Sequence, residues 1–216
     1  MFHLLFSALL LCNPSYCNIF SRRAVLSSVI GMSALDKNVA NANDDDEPGL
    51  IRRINNNLYY SGPMTDSTIF SVTSNLLVMQ EEDINNINLH IQSTGGSLLP
   101  TLGLVDLIRA SYIPINTYVD GYCASAASLI TVVGAQRFIN KHGVLLIHQL
   151  KMGMEPSKYL EIVDQKHNAD TLMNIIKEIY IENTKLDNNN LEKLLAHDLW
   201  LNSTLCKKYG IVDIII

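Results

Sequence analysis

A serine stands at a corner where an apolar strand turns into a helix. The segment reads Gly121-Tyr122-Cys123-Ala124-Ser125, and the small residues around the serine let the backbone approach closely. A serine at such a corner has an exposed hydroxyl, and the N-terminus of the following helix lies beneath it. Ser125 is therefore a candidate nucleophile, and Ser128, three residues along the helix, is the alternative.

A histidine and an acid could complete this chemistry. His148 ends the apolar strand 144–147, and its near-neutral pKa suits a general base. Asp198 lies at a helix-to-strand junction beside the bulky segment Leu199-Trp200-Leu201, where a carboxylate can orient a histidine and stabilise its charged form. His197 competes as the base, but it is adjacent to the candidate acid in sequence rather than reaching it across the fold. Taken singly, each residue also fits a plain structural role.

Acyl transfer further requires hydrogen-bond donors for an oxyanion. Gly95-Gly96 follows a strand and offers exposed backbone N–H groups, and the N–H of Ala126 offers another. Beyond the first 43 residues only Cys123 and Cys206 remain, without C-x-x-C spacing or a nearby histidine pair. This predicts two buried core cysteines rather than a zinc site or a disulfide scaffold, and no cofactor or metal site is indicated.

Alternating elements must position these residues. Strand patterns occur at 58–60, 87–91, 115–119, 137–139, 144–147, 199–201 and 211–216, and helical patterns at 66–80, 98–110, 124–133, 156–183 and 191–197. We expect Asp66 to cap the helix at 66–80. We expect Gly121 to end the strand at 115–119 and lead into the helix at 124–133. Because strands and helices alternate, we predict parallel pairing with right-handed crossovers, and so an α/β fold.

Composition indicates one globular domain behind a leader. The 216 residues are 48% hydrophobic with a net charge of -5, which argues against a nucleic-acid partner, and no apolar run is long enough for a membrane span. The first 35 residues lack Asp and Glu, and an apolar stretch is followed by a basic, serine-containing one. This predicts a cleaved leader over 1–43 and delivery to a plastid of secondary origin. The thylakoid lumen, another organelle and secretion are the alternatives.

Four motifs in this order resemble the Clp protease proteolytic subunit, the ClpP family. They are Ile91 to Gly96, Gly121 to Ser125, Leu146 to Gln149, and the terminal pair Asp198 to Leu201 with Tyr209 to Asp213. The resemblance covers about residues 50–216, within a peptidase domain predicted over 44–216. It implies the α/β ClpP/crotonase-like fold, a spiral of βαβ units with a helical handle at about 156–183.

The resemblance also implies an activity and partners. It makes the chain a serine endopeptidase with Ser125 as nucleophile, His148 as base and Asp198 as orienting acid. The N–H groups of Gly96 and Ala126 would hold the oxyanion, and alignment on Gly134-Ala135 favours Ser125 over Ser128. Family members form two stacked heptameric rings and receive unfolded polypeptide from an AAA+ unfoldase, which is the subunit that hydrolyses ATP.

The predicted long helix bears on this assembly. It carries apolar residues on more than one face: Leu160, Ile162, Val163, Leu172, Ile175, Ile176 and Ile179. One face can pack on the α/β body, so the other needs a second partner. We expect charged substitutions at Ile176 and Ile179 to break the particle into smaller species.

The sequence departs from the family pattern near the histidine. Leu150 and Thr94 replace prolines that are usual in the family, and Lys151-Met152-Gly153-Met154 keeps one glycine of a Gly-rich strand that pairs with substrate. The complete Ser–His–Asp set favours an active subunit over a non-catalytic, ClpR-like subunit of a mixed ring. A crotonase-type acyl-CoA enzyme is less favoured because it would not need that set in this order. A soluble adaptor or binding module is the remaining alternative.

Overall fold

The structure is a computed structural model that describes residues 49–153 and 156–216. The predicted leader at 1–43 lies outside these residues. The strands are β1 (Leu50–Ile54), β2 (Asn57–Ser61), β3 (Ile87–Ser93), β4 (Ile115–Ala124), β5 (Arg137–Ile139), β6 (Val144–Leu146), β7 (Trp200–Asn202) and β8 (Ile214–Ile215). The helices are α1 (Asp66–Gln80), α2 (Leu98–Arg109), α3 (Ala126–Val132), α4 (Tyr159–Asn183), α5 (Asn188–Leu195) and α6 (Ser203–Lys208).

The sheet is organised around β4. Along one edge β4 pairs with β3, and along the other it pairs first with β5 through Thr117–Val119 and then with β6 through Tyr122–Ala124. The main path is β1-β2-β3-β4-β5-β8, and β6 and β7 branch from it. Every pairing along β2-β3-β4-β5-β8 is parallel, as is β4 with β6, whereas β1–β2 and β6–β7 are antiparallel. The predicted α/β fold with parallel pairing is confirmed.

Two local predictions were wrong. β4 does not end at Gly121 but continues to Ala124, because Gly121 adopts a φ of +91° within the strand and the extension gains β6 as a partner. Asp66 does not cap α1. Thr65 does, since its hydroxyl accepts from the N–H of Thr68 and the Thr68 hydroxyl accepts from the N–H of Thr65.

An aromatic ladder crosses four neighbouring strands. Tyr59, His90, Tyr118 and Phe138 are in register on β2 to β5. Their rings stack with centroid separations of 4.4, 4.4 and 4.3 Å. Asp120 pairs with His90 Nδ1 at 2.8 Å. Cross-strand ring pairs of this kind stabilise one register over its alternatives.

One hydrophobic core joins the sheet to the helices. It includes β2 to β6 residues together with buried residues of α1 to α5. Cys123 and Cys206 are both buried and both free thiols, as predicted. No helix within 49–153 and 156–216 is long and apolar enough to cross a membrane.

The two halves of helix α4 differ in the burial of their apolar side chains. Ile176 and Ile179 are buried in the core of the subunit itself. Charged substitutions at these two positions would therefore first disturb this chain's own folding, and the prediction that they break the particle stays a prediction. Towards the N-terminus of the helix, Leu160 is 70% exposed, and Ile162 and Val163 are also exposed.

The C-terminal strand is held by an ion pair. The Asp213 carboxylate accepts from the Arg137 backbone N–H at 3.0 Å and from the guanidinium Nε and Nη2 at 2.9 and 2.6 Å. In return, the N–H of Asp213 donates to the carbonyl of Arg137 at 2.8 Å. Hydrogen bonding to Arg137 lowers the pKa of Asp213, so the carboxylate is charged throughout the neutral range.

We predict that Asp213→Asn lowers the free energy of unfolding by about 1–2 kcal/mol at pH 7. Charge-assisted hydrogen bonds support the upper figure, and partial solvent screening of Asp213 reduces it. Because the folded-state pKa is lowered, this contribution is present above the usual Asp pKa and is lost as the pH falls through the folded-state value. Urea denaturation at fixed protein concentration measures it. Asp106→Asn, on exposed α2 surface, is the matched control, and equal stability of the two variants would contradict the assignment.

Candidate active site

Ser125 occupies a strained corner between β4 and α3. Its φ is +56° and its ψ is -129°, a conformation that costs a residue with a side chain of order 1–3 kcal/mol. The Ser125 N–H donates to the carbonyl of Leu146 on β6 at 3.0 Å, and α3 begins at the next residue. The corner thus has the strand–turn–helix geometry that holds a nucleophilic serine at a sheet edge.

Ser128 has a different environment. It is fully buried, its hydroxyl donates to the carbonyl of Ser125 at 2.6 Å, and it lies 2.6 Å from the phenol oxygen of Tyr180. With the Ser128 proton committed to Ser125, the Tyr180 phenol donates to Ser128. Burial raises the pKa of Tyr180, which keeps this phenol protonated. Ser128 and Tyr180 therefore support the corner from beneath, a pairing that sequence reasoning missed.

Gly95 and Gly96 pass close to the same corner. A Cβ on Gly95 would lie 2.7 Å from the Ala124 carbonyl oxygen and 3.0 Å from the Ala126 nitrogen. A Cβ on Gly96 would lie 2.1 Å from the Met64 carbonyl oxygen, and both glycines have positive φ. Only glycine fits either position. Among the described residues, the N–H groups of Gly96 and Ala126 donate to no acceptor, so both are free to bind an oxyanion.

A cavity of about 350 Å³ brings the predicted groups together. Ser125, His148, Gly96 and Ala126 all line it. The other lining residues are Thr94, Gly95, Leu98, Leu129, Gln149, Leu150, Lys151, Ile176 and Tyr180. Ser128, His197 and Asp198 are not among them. The cavity combines an apolar wall with a few convergent polar groups, as ligand sites commonly do.

Asp198 lies beside His148 without bonding to it. The separation from His148 Nδ1 to Asp198 Oδ1 is 3.7 Å, which is too long for a hydrogen bond. His148 Nδ1 is buried and has no hydrogen-bond partner within the described part of the chain. Asp198 Oδ2 instead accepts from the ammonium of Lys151 at 3.0 Å. Sequence reasoning noted Lys151 only as a departure from the family pattern, since it lies 47 residues before Asp198.

Burial, assisted by the neighbouring Lys151 charge, favours the neutral form of His148. Burial lowers the pKa of His148, and the positive charge of Lys151 lowers it further. The negative charge of Asp198 and the Gln149 backbone oppose these effects. The hydrogen bond from Lys151 also lowers the pKa of Asp198. At neutral pH, therefore, the imidazole can accept a proton while Asp198 carries its charge.

Metal chemistry has no ligand set in the described residues. No group of three or more His, Cys, Asp or Glu side chains within 49–153 and 156–216 could hold a metal ion. Burial raises the pKa of Cys123 to about 12, so this thiol stays protonated and is no ligand or nucleophile at neutral pH.

Comparison with known proteins is consistent with this geometry. The family model described as Clp protease matches residues 49–216. An ATP-dependent Clp protease proteolytic subunit from Cyanophora paradoxa is 29% identical over 160 residues, which are 72% of this chain and 81% of that protein. A protein of the same name from Pleurastrum terricola is 27% identical over 157 residues, 71% of this chain and 80% of its own length. The chain belongs to the Clp protease family.

Proposed function

We propose that this chain is a catalytically active serine endopeptidase that cleaves unfolded polypeptide. The observation that carries the proposal is one cavity that holds the strained Ser125, a His148 whose pKa is lowered by burial, and two free backbone N–H groups. Family membership supports serine peptidase activity in general. The roles of the individual residues are the part that experiment must test.

Each group has a distinct task in the proposed reaction. The Ser125 oxygen attacks the peptide carbonyl while His148 takes the hydroxyl proton, and the N–H groups of Gly96 and Ala126 bind the resulting oxyanion. His148 then gives the proton to the leaving amine, and the acyl-enzyme forms. Water attacks the acyl-enzyme in the same manner, which frees Ser125. Asp198 stabilises the transient imidazolium once its carboxylate reaches hydrogen-bond distance of His148 Nδ1.

A second candidate function is a structural subunit of a mixed ring without activity of its own. The observation that favours it is the 3.7 Å gap between His148 and Asp198, with Asp198 bonded to Lys151. Hydrogen bonds at catalytic sites are often long before substrate binds, so the gap alone does not exclude activity. The two candidates differ in whether Ser125 reacts.

We predict that Ser125→Ala reduces the turnover of a fluorogenic peptide by a factor of about 10⁴ or more, because the nucleophile is lost. Labelling of the purified mature chain with a fluorophosphonate should disappear in the same variant. Ser128→Ala is the comparison variant for the rival serine. It keeps the Ser125 hydroxyl and should keep the labelling, at a lower rate because the hydrogen bond from Ser128 to the Ser125 carbonyl is lost.

Two outcomes would overturn the assignment. Labelling that persists in Ser125→Ala and vanishes in Ser128→Ala would transfer the role of nucleophile to Ser128. An unlabelled wild-type chain within an otherwise active mixed ring would support the structural-subunit alternative.

We also propose that the chain forms stacked rings fed by an AAA+ unfoldase, which would supply the ATP hydrolysis. The support is family membership and the exposed apolar N-terminal half of α4. Leu160 is 70% exposed and Tyr159 is 78% exposed on a helix that elsewhere packs into the core. Ring-to-ring contact along this half would remove that apolar surface from water.

We predict that Leu160→Glu shifts the purified protein to smaller species and lowers peptidase activity, because a charge would be buried in the contact between rings. Multi-angle light scattering with a parallel peptidase assay measures both effects. Asn168→Glu adds the same charge at another exposed position of α4 and serves as the control. A particle of unchanged mass in Leu160→Glu would rule out this contact.

A plastid is the proposed location. The support is the two-part, acid-free leader and the origin of the matched relatives in algae. We predict that residues 1–43 carry a fluorescent reporter into the plastid of a suitable algal host, whereas residues 1–17 alone leave it in the secretory pathway. Microscopy of the two fusions separates these outcomes, and a cytosolic reporter with the full leader would refute the proposal.

A further inference from the structure

The buried nitrogen of His148 has an unused partner nearby. Nδ1 is inaccessible to solvent and has no hydrogen bond within the described residues, although the Asp198 carboxylate lies 3.7 Å away. A buried polar atom without a partner is unfavourable, so closing this gap would be expected to occur spontaneously. The structure therefore requires something that keeps the carboxylate back.

Lys151 binds the Asp198 carboxylate from the other side and is the candidate for that restraint. Its ammonium lies 3.0 Å from Asp198 Oδ2, the oxygen that does not face His148. Lys151 is three residues beyond His148, on a segment without regular structure, and it lines the same cavity as Ser125. One short stretch of chain thus carries both the base and the cation that competes with it for the acid.

We propose that Lys151 is a positioning residue that holds Asp198 away from His148, and that breaking this ion pair lets Asp198 accept a hydrogen bond from His148 Nδ1. The proposal rests on the proposed function, in which Asp198 serves His148. It assigns a role in the reaction to a residue that touches neither the nucleophile nor the oxyanion donors. It also accounts for the long His148–Asp198 separation without making the chain an inactive subunit.

The restraint is weak enough to be released. The Lys151 side chain is 70% exposed and that of Asp198 is 56% exposed, so water and salt screen their attraction. The bond that would replace it has one partner in a buried site, where a hydrogen bond to a charged group is stronger. A polypeptide that fills the cavity also meets Lys151 directly, because Lys151 forms part of the wall.

The test is Lys151→Met, which keeps an unbranched side chain one atom shorter and removes the charge. We expect kcat for a fluorogenic peptide to rise about two- to fivefold at low ionic strength, the range that an exposed ion pair can supply. The acid limb of the kcat/KM profile should move to higher pH, because loss of a neighbouring positive charge and gain of the Asp198 bond both raise the pKa of His148. Wild-type activity should increase with salt, and that of Lys151→Met should not.

Matched variants separate this role from others. Lys151→Arg keeps the charge and should behave as wild type. Adding Lys151→Met to Asp198→Asn should not raise kcat above that of Asp198→Asn alone, since the effect acts through Asp198. A rise in KM without a change in kcat would mean that Lys151 binds substrate instead, which would overturn the proposal. So would an unmoved acid limb in a folded Lys151→Met protein, or in Lys151→Gln if the methionine variant fails to fold. If Ser125→Ala were as active as wild type, the proposed function itself would fail, whatever the Lys151 variants do.

Discussion

The strained backbone at Ser125 is the constraint on which the site depends. A residue with a side chain holds a positive φ there only because several neighbours over-determine it. The carbonyl of Leu146 binds its N–H, the Ser128 hydroxyl binds its carbonyl, and Gly95 passes too close for any side chain. These restraints come from β6, α3 and the loop after β3. The elements that the sheet brings together at the end of β4 therefore fix one backbone conformation.

The same packing sets the chemistry of the base. Burial lowers the pKa of His148, which suits a group that must accept a proton at neutral pH. Burial also makes the imidazolium formed during a reaction less stable, so an acid is needed at the moment of proton transfer. Asp198 is on the rim of this buried region, with an exposed side chain that can move. In the proposed reaction, a buried His148 and an exposed, movable Asp198 would form their ion pair only when His148 takes the proton.

The sequence predicted much of the fold because its apolar periodicity is strong in the centre of the sheet. β3 and α2 were located to within two residues, since their patterns are bounded by Gly95-Gly96 and by Pro114. β1 was missed because its LIRRI segment lies at the sheet edge with alternating exposed positions and two arginines, so it has no buried face to signal a strand. α6 was missed because it is short, since six residues show little periodicity.

The order of the motifs identified the candidate site residues, but it did not give the distances between them. The Lys151–Asp198 contact joins residues 47 positions apart, and Lys151 belongs to none of the four motifs, so only the packed chain brings the two together.

The aromatic ladder has a consequence for the position of Ser125, the proposed nucleophile. In a parallel sheet, a slip of two residues keeps every side chain on its own face and therefore leaves the apolar pattern satisfied. Such a slip of β4 would carry Ser125 about 6.6 Å along the strand, far from the base. It would also unstack Tyr118 from both His90 and Phe138 at once. Ring stacking thus fixes the alignment of β4 with its neighbours, which hydrophobicity alone cannot do. Tyr118 lies seven residues before Ser125, whose position depends on that alignment.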